Sequence, residues 1–353
     1  MKSLIDYVEK APALCRQIID NGKNLVAPLV ELYCAKEYKK IVMVASGSSG
    51  NIANSIKYYI QDVLGVEVKV VWPVTYINYD YKFNEDALIL CMSQSGRSTN
   101  TINSVKKANE LKQDVAVLTS NPDSTIKAYA KHVVDFGVGS DDYYVCKGYP
   151  GSITFLAVFA LEAALQKKRI STEEYKKQYR ELEAPIDMMK KSIALSKQFY
   201  AEHKQELLKM RRIMVAGCGN GYGMALEGTL KINETTGIIT NAYEMEEMMH
   251  GPCYEITKDH GVFLIDNNEK THERMMQLSQ ALTKLTDKVY VISNIEKRGD
   301  RTFFLEGQKG LDLSAIYNVI PFQIISDSIC TDLDTIGYSL AAYDFEQLMR
   351  TKA

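Results

Sequence analysis

Paired metal and redox ligands are missing from this sequence. The seven cysteines (Cys15, Cys34, Cys91, Cys146, Cys218, Cys253 and Cys330) are odd in number, scattered and free of any CxxC spacing. Neither a zinc knuckle nor a disulfide framework is indicated, and a reducing compartment fits best. The five histidines (His132, His203, His250, His260 and His272) never fall into an HxxxH or HExxH pair, so no metal centre is expected. Charge of one sign is missing too. A formal net charge of −2 gives no field to attract nucleic acid or an anionic membrane, so any anionic ligand must be held by local donors. Long apolar runs are scarce: "ITFLAVFAL" stops at Glu162, and "MKSLIDYVEK" puts Asp6 and Glu9 where a secretory leader needs an apolar core. A soluble, cytoplasmic protein is expected. The GxxxxGK[ST] loop is absent and residues 46–51 hold no GxGxxG, which disfavours nucleotide binding through those motifs.

What is present is a chain of 353 residues, long enough for roughly two domains. With 46% hydrophobic and 24% charged residues it has ordinary globular composition. It also states one pattern twice. "IVMVASGSSGNIANSIKYYIQDVLGVEVKVV" from Ile41 aligns without a gap on "IMVAGCGNGYGMALEGTLKINETTGIITNAY" from Ile213, so that Gly47 falls on Gly219 and Gly65 on Gly237. Each copy reads as a β-branched strand, a small-residue turn, a helix, a C-terminal glycine and a second strand, which is a βαβ unit. The first copy continues through "DALILCMSQSG", "DVAVLTSNPDS" and "KHVVDFGVG", and the second through "HGVFLIDNN" and "KVYVISN". Strands alternating with helices predict parallel sheets covered on both faces, with ligands beyond the carboxyl ends of the strands. The expected organisation is N-terminal helices over 1–35, a first α/β domain over 36–170, a charged helical linker over 171–205 and a second domain with a tail over 206–353. In the linker, Ser171 or Thr172 can cap a helix and Pro185 interrupts it.

Chemistry concentrates in a few places. Two turns, "SGSSGN" at 46–51 and "SQSGRST" at 93–99, each follow a strand and precede a helix. Backbone N–H groups, the positive end of a helix dipole and short hydroxyls would converge there on one anion, so uncharged donors suffice for a phosphate. Serine and threonine are also ordinary turn and cap residues, but two such turns at neighbouring strand ends favour phosphate. "GCGNGYG" at 217–223 has irregularly spaced glycines and is a weak dinucleotide signal. In "LEGTLKINETTG", Glu227, Lys231 and Glu234 lie on one helix face: either a solvated ion-pair face, or a base whose pKa is raised by burial and lowered by the lysine. "YEMEEMMHGP" places His250 just before a helix-stopping Gly-Pro, as a structural group or as a proton shuttle. "CKGYPGSITF", with Ser152 and Thr154, reads as a loop closing over a ligand or as the entry to a core helix.

These motifs together resemble the sugar isomerase (SIS) domain proteins, and in particular the isomerase half of glutamine–fructose-6-phosphate amidotransferase and the fructosamine-6-phosphate deglycases. The residues that carry the likeness are "SQSGRST" with the "SGSS" turn before it, then "ALEGTLKINE" and "NAYEMEEMMHGP". The resemblance implies two tandem SIS domains, each a three-layer α/β/α sandwich with a flavodoxin-like parallel sheet, and a metal-independent enzyme without cofactors. It implies that Ser48, Ser49, Ser93, Gln94, Ser95 and Ser98 hold the sugar phosphate in turns shaped by Gly47 and Gly96. Glu234 would move a proton between C1 and C2, and His250 would assist ring opening in the neighbouring subunit of a homodimer. Lys231 and Glu227 would support that helix. The departures also count. No glutaminase segment precedes the repeat, so extraction of ammonia from glutamine is not expected. The family's imine-forming lysine has no match in "DLDTIGYSLAAYDFEQLMRTKA", where Lys352 stands in another register, and Arg97 replaces an acidic residue. Without that lysine, a substrate already bearing nitrogen is favoured. The reading is ring opening and C1/C2 proton transfer on a hexose 6-phosphate derivative: a fructosamine 6-phosphate to be cleaved, or an amino-sugar phosphate to be isomerised and deaminated. Arg97 would pair with a carboxylate on such a conjugate. Competing readings are a plain aldose–ketose isomerase and a noncatalytic sugar-phosphate sensor.

Overall fold

Along the chain run α1 (Leu4–Val8), α2 (Ala11–Asp20), α3 (Gly22–Cys34), β1 (Lys40–Val44), α4 (Ser48–Leu64), β2 (Glu67–Val71), α5 (Pro73–Thr75), β3 (Ala87–Met92), α6 (Thr99–Glu110), β4 (Asp114–Thr119), β5 (His132–Asp135), α7 (Gly148–Gln166), α8 (Thr172–Glu181) and α9 (Ala184–Leu207). A second series follows: β6 (Arg212–Gly217), α10 (Asn220–Thr236), β7 (Ile239–Glu244), β8 (His260–Asp266), α11 (Glu269–Leu282), β9 (Val289–Ser293), β10 (Thr302–Phe304), α12 (Ala315–Asn318) and α13 (Ile320–Leu333). The computed structural model describes residues 3–307, 312–335 and 345–353. It divides into two compact units, Lys10–Ala184 with Tyr343–Ala353, and Met1–Glu9 with Pro185–Ala342. Residues 3–9 join the second unit because α1 docks on α13. There Asp327 accepts from Ser3 Oγ at 2.5 Å and from the Leu4 N–H at 2.9 Å.

Each unit holds a five-stranded, wholly parallel sheet, ordered β2-β1-β3-β4-β5 in one and β7-β6-β8-β9-β10 in the other. This is the expected α/β class, with the 2-1-3-4-5 order of flavodoxin-like sheets. β10 is an addition to the sequence reading; at three residues it is too short to show a period. The repeat governs local geometry closely. α4 and α10 are both 17 residues long, entered through Gly47 (φ 56°) and Gly219 (φ 59°) and left through the left-handed Gly65 (φ 65°) and Gly237 (φ 67°). A positive φ admits glycine at little cost, which is why these positions punctuate both copies.

Strands covered on both faces explain the unbroken apolar runs of β3 and β8, in which every residue is buried. On one face of the first sheet, Ile102, Val105 and Ala108 of α6 pack on Val42, Val44, Ile89 and Val115. On the other, α4 covers β1 and β2, with α7 against α4, α3 and α2 behind it. That position accounts for the all-round apolar character of α7. It is the one described helix long and apolar enough to cross a membrane by length and composition, and it is buried in its own unit. In the second unit Met275, Leu278 and Leu282 of α11 pack on Met214, Val262 and Leu264, while α10 and α13 pair with each other and α10 lies on β6 and β8. The linker breaks into two helices at Pro185, as its sequence predicts: α8 ends at Glu181, Pro185 falls in the first turn of α9, where a missing N–H costs no intrahelical bond, and Ser171 caps α8 by accepting from the Glu174 N–H at 3.1 Å.

Candidate active site

β1 and β3 are neighbours at the point where strand order reverses in the first sheet, with Val44 level with Cys91. The turns that follow them therefore emerge side by side, at the topological position where open α/β sheets bind ligands. Ser48 and Ser49 open α4 and are buried. Ser93 is buried at the end of β3 and donates to Ser98 Oγ at 3.1 Å, while Ser98 caps α6 without spending its side chain on the helix. Ser95 Oγ accepts from the Arg97 N–H at 3.3 Å, and Asn100 Nδ2 donates to Ser46 Oγ at 3.0 Å, tying the second turn to the first. The six hydroxyl and amide positions expected to hold phosphate thus lie on two adjacent turns at the N-termini of α4 and α6.

Gly96 is fixed by its surroundings. Its φ is +63°, and a Cβ there would lie 1.8 Å from Ser124 Oγ and 2.9 Å from Thr119 Oγ1. The loop after β4 buttresses the turn, its Ile126 N–H donating to Gly96 O at 3.0 Å. Gln94 is held by its carbonyl, which accepts from the Ser120 N–H at 3.0 Å and from Thr119 Oγ1 at 3.2 Å. Both heteroatoms of its carboxamide are buried and make no hydrogen bond among the described residues. The side chain lies against Gly148, where a Cβ would meet Gln94 Nε2 at 2.1 Å, and Asp142 accepts from the Lys147 and Gly148 N–H groups at 3.1 and 2.7 Å. "GYPGSITF" is therefore the opening of the core helix, with Ser152 and Thr154 buried within it.

Arg97 is exposed. Its Nε donates to Ala353 O at 3.1 Å and its carbonyl accepts from the Ala353 N–H at 2.7 Å. Thr99 binds the same segment, its N–H donating to Thr351 O at 3.0 Å and its hydroxyl to Arg350 O at 2.7 Å. Lys352 forms an antiparallel bridge with Ser98 and an ion pair with Glu346.

In the second unit the carboxylate–lysine stripe of α10 is assembled as its spacing predicts, but it is buried rather than solvated. Glu227 and Lys231 are fully buried; Lys231 Nζ lies 3.4 Å from Glu227 Oε1 and also donates to Glu234 Oε1. A quarter of the Glu234 side chain is exposed. Burial pushes its carboxyl up to about 7, against the charge and hydrogen bond of Lys231, which pull it down, and with Glu227 adding to the rise. His250 ends a short 3₁₀ turn, exposed, with Gly251 at φ +129° behind it. No hydrogen bond or ion pair among the described residues links it to Glu234.

Sequence reasoning missed two groups. One is Thr119, Ser120 and Ser124 behind the second turn, whose signal was the hydroxyl-rich "TSNPDS" at the end of a strand already recognised. The other sits at the equivalent ends of the second sheet. Asp266, 1% exposed, accepts from Ser293 Oγ at 2.7 Å and lies 2.9 Å from His272 Nδ1, whose other nitrogen lies 3.5 Å from Glu296. Beside it Asp312 accepts from Asn267 at 2.9 Å, Asn220 at 3.3 Å and Ser314 Oγ at 2.5 Å. Carboxylates at these ends oppose a phosphate next to the glycines at 217–223.

Comparison with known proteins fits this arrangement. A model described as the SIS domain matches residues 31–161 and 206–325. Glutamine–fructose-6-phosphate aminotransferase (isomerizing) of Bacteroides thetaiotaomicron is 27% identical over 257 residues, covering 71% of this chain and 41% of that protein. The chain spans about half the length, or less, of the curated relatives it matches. Among solved structures, a proposed phosphosugar isomerase of Clostridium difficile superposes with a TM-score of 0.88 at 25% identity, covering 95% of both chains. The C-terminal domain of glucosamine–fructose-6-phosphate aminotransferase of Francisella tularensis gives 0.81 at 20% identity, covering 95% of this chain and 97% of that one, a likeness of fold.

Proposed function

This chain belongs to the SIS-domain family, and from that premise we propose that it is an enzyme acting on a hexose 6-phosphate derivative that already carries nitrogen at C1. The observation that carries the reading is Glu234, a carboxyl raised to about 7 on a helix with a buried lysine beside it. A base with a pKa near the working pH combines a useful ionised fraction with a strong proton affinity. A noncatalytic sensor would have no use for such a group.

The chemistry follows from the donors. The hydroxyls and N–H groups of the two turns hold the phosphate, with Ser48, Ser49, Ser93, Gln94, Ser95 and Ser98 as ligands. His250, supplied by a second copy of the chain, transfers the proton that opens the ring. In the open-chain fructosamine, C2 is a carbonyl and C1 carries the amine and two hydrogens. Glu234 takes one C1 proton, leaving an enolamine whose charge Lys231 stabilises. Return of a proton to C2 leaves a C1=N imine, and addition of water across it releases the amine and glucose 6-phosphate. No lysine has to form the C–N bond, because the substrate brings it.

The test is incubation in deuterated water with a fructosamine 6-phosphate, glucosamine 6-phosphate and fructose 6-phosphate, reading label at C1 and C2. Label and amine release from the first, both lost in Glu234→Gln, are expected. Label from fructose 6-phosphate alone would establish plain aldose–ketose isomerisation instead. Tight binding without label on any of the three would establish a sensor.

A further inference from the structure

Ser120 follows the last residue of β4, next to the turn after β3. Its N–H donates to Gln94 O at 3.0 Å, so the two residues share one edge of the hydroxyl turn. It is 5% exposed, and its Oγ makes no hydrogen bond among the described residues; neither does either heteroatom of the Gln94 carboxamide. Such groups are rare in folded proteins, because a buried polar atom without a partner forfeits its hydration for nothing. Ser152 and Ser196 share this state, but both lie inside helices, where rotation returns a hydroxyl to the carbonyl four residues back. Ser120 has no helical carbonyl beneath it. Its neighbours Thr119 and Ser124 have already spent their hydroxyls on Gln94 O and Asn121 O.

Three uncommitted polar atoms thus lie on neighbouring residues at the switch-point end of the first sheet. Their chemistry is mixed. The Ser120 hydroxyl and Gln94 Nε2 can donate, whereas Gln94 Oε1 can only accept. The phosphoryl group of a phosphate ester dianion offers acceptors alone and leaves Oε1 unpaired. A ligand with a phosphate ester next to a sugar hydroxyl offers both. We propose that Ser120 is a further substrate-binding residue, which donates through Oγ to the ester end of a polyol phosphate while Gln94 grips the adjoining hydroxyl. This rests on the reading of the two turns as a phosphosugar cradle and adds Ser120 to its donors.

The experiment measures dissociation constants and ligand-induced Tm shifts for fructose 6-phosphate and inorganic phosphate on the full chain and on Ser120→Ala. Ser120→Cys, nearly isosteric and a weak donor, guards against a packing defect in the alanine variant. Both variants should have an unliganded Tm equal to or above that of the unaltered chain, since an unpaired buried hydroxyl contributes no stability. Both should bind fructose 6-phosphate about 10-fold more weakly, the scale of one hydrogen bond to a charged group, and inorganic phosphate more weakly as well. Fructose 6-phosphate affinity unchanged in both variants, or a clear drop in the unliganded Tm of the cysteine variant, would overturn the assignment and leave the cradle intact. An unaltered chain that binds neither anion would overturn the cradle itself.

Discussion

Ser55 and Tyr59 on α4 occupy the places that Glu227 and Lys231 occupy on α10, and both pairs are buried. In the first copy the pair is neutral: Ser55 Oγ and the Tyr149 hydroxyl share a hydrogen bond of 2.5 Å. In the second it is an ion pair extended to Glu234. The strand ends differ in the opposite sense, with neutral hydroxyls at β1 and β3 and the carboxylates Asp266 and Asp312 at the second sheet. One backbone plan, repeated with the same glycines, has been given two electrostatic jobs. The first copy presents neutral hydroxyls at its strand ends, the second a helix carboxyl whose pKa burial raises to about 7.

The sharpest way to break this division is a matched pair of substitutions. Glu234→Gln should lower kcat by about 10³-fold, the usual scale for a general base, while Asp62→Asn at the equivalent position of α4 should leave it within about two-fold. Asp62 is exposed and makes no ion pair among the described residues. Steady-state amine release from a fructosamine 6-phosphate measures both. Similar losses from the two variants would mean that the copies are not specialised in this way.

Next in size is Ser98→Asp, which carries the second copy's charge into the first. Aspartate is a good N-cap, so α6 should hold and the Tm should not fall. A carboxylate at this turn, however, repels a phosphate dianion at short range, and KM should rise about 100-fold. A KM within three-fold of the original would place the anion elsewhere.

The pH dependence is smaller and has a definite sign. Only ionised Glu234 can take a proton from carbon, so with a pKa of about 7 the rate should fall about tenfold for each unit below neutrality. Stability moves the other way. The unfolded carboxyl releases its proton near its ordinary 4.5 and the folded one near 7, so the native state holds more protons between these values. The stability from this linkage is full below about pH 4.5 and lost as pH rises through 7. Glu234→Gln should therefore show a flatter Tm profile between pH 5 and 8. A profile as steep as that of the unaltered chain would mean that another group carries the slope.

What was legible in the sequence is what short-range rules control. Gly65 and Gly237 announced left-handed caps, the serine turns announced helix N-termini, and the spacing of Glu227, Lys231 and Glu234 put them on one face. Burial of that face was not legible, because i, i+4 spacing looks the same on a solvated helix. The contact of Arg97 with Ala353 joins residues far apart in the chain and leaves no local pattern. Ser120 was hidden for another reason: it reads as an ordinary turn residue until its burial and its unspent hydroxyl are known together.

The smallest effect on activity should come from Asp266→Asn, and it tests whether the second sheet's acidic ends are structural. Asp266 is buried, which pushes its carboxyl up, while bonds from Ser293 and His272 pull it down. An asparagine of the same shape keeps one acceptor oxygen and replaces the other with an NH₂ that faces donors. Ser293 or His272 then loses its partner, at a cost of about 1–3 kcal/mol for a buried hydrogen bond to a charged group. For a unit of this size each kcal/mol lowers Tm by about 2–4 °C. Turnover at 25 °C should stay within about two-fold, because the network touches neither the hydroxyl turns nor the α10 stripe. If turnover instead fell tenfold with Tm unchanged, the second copy would carry chemistry at its strand ends as well, and the division of labour between the two sheets would fail at that point.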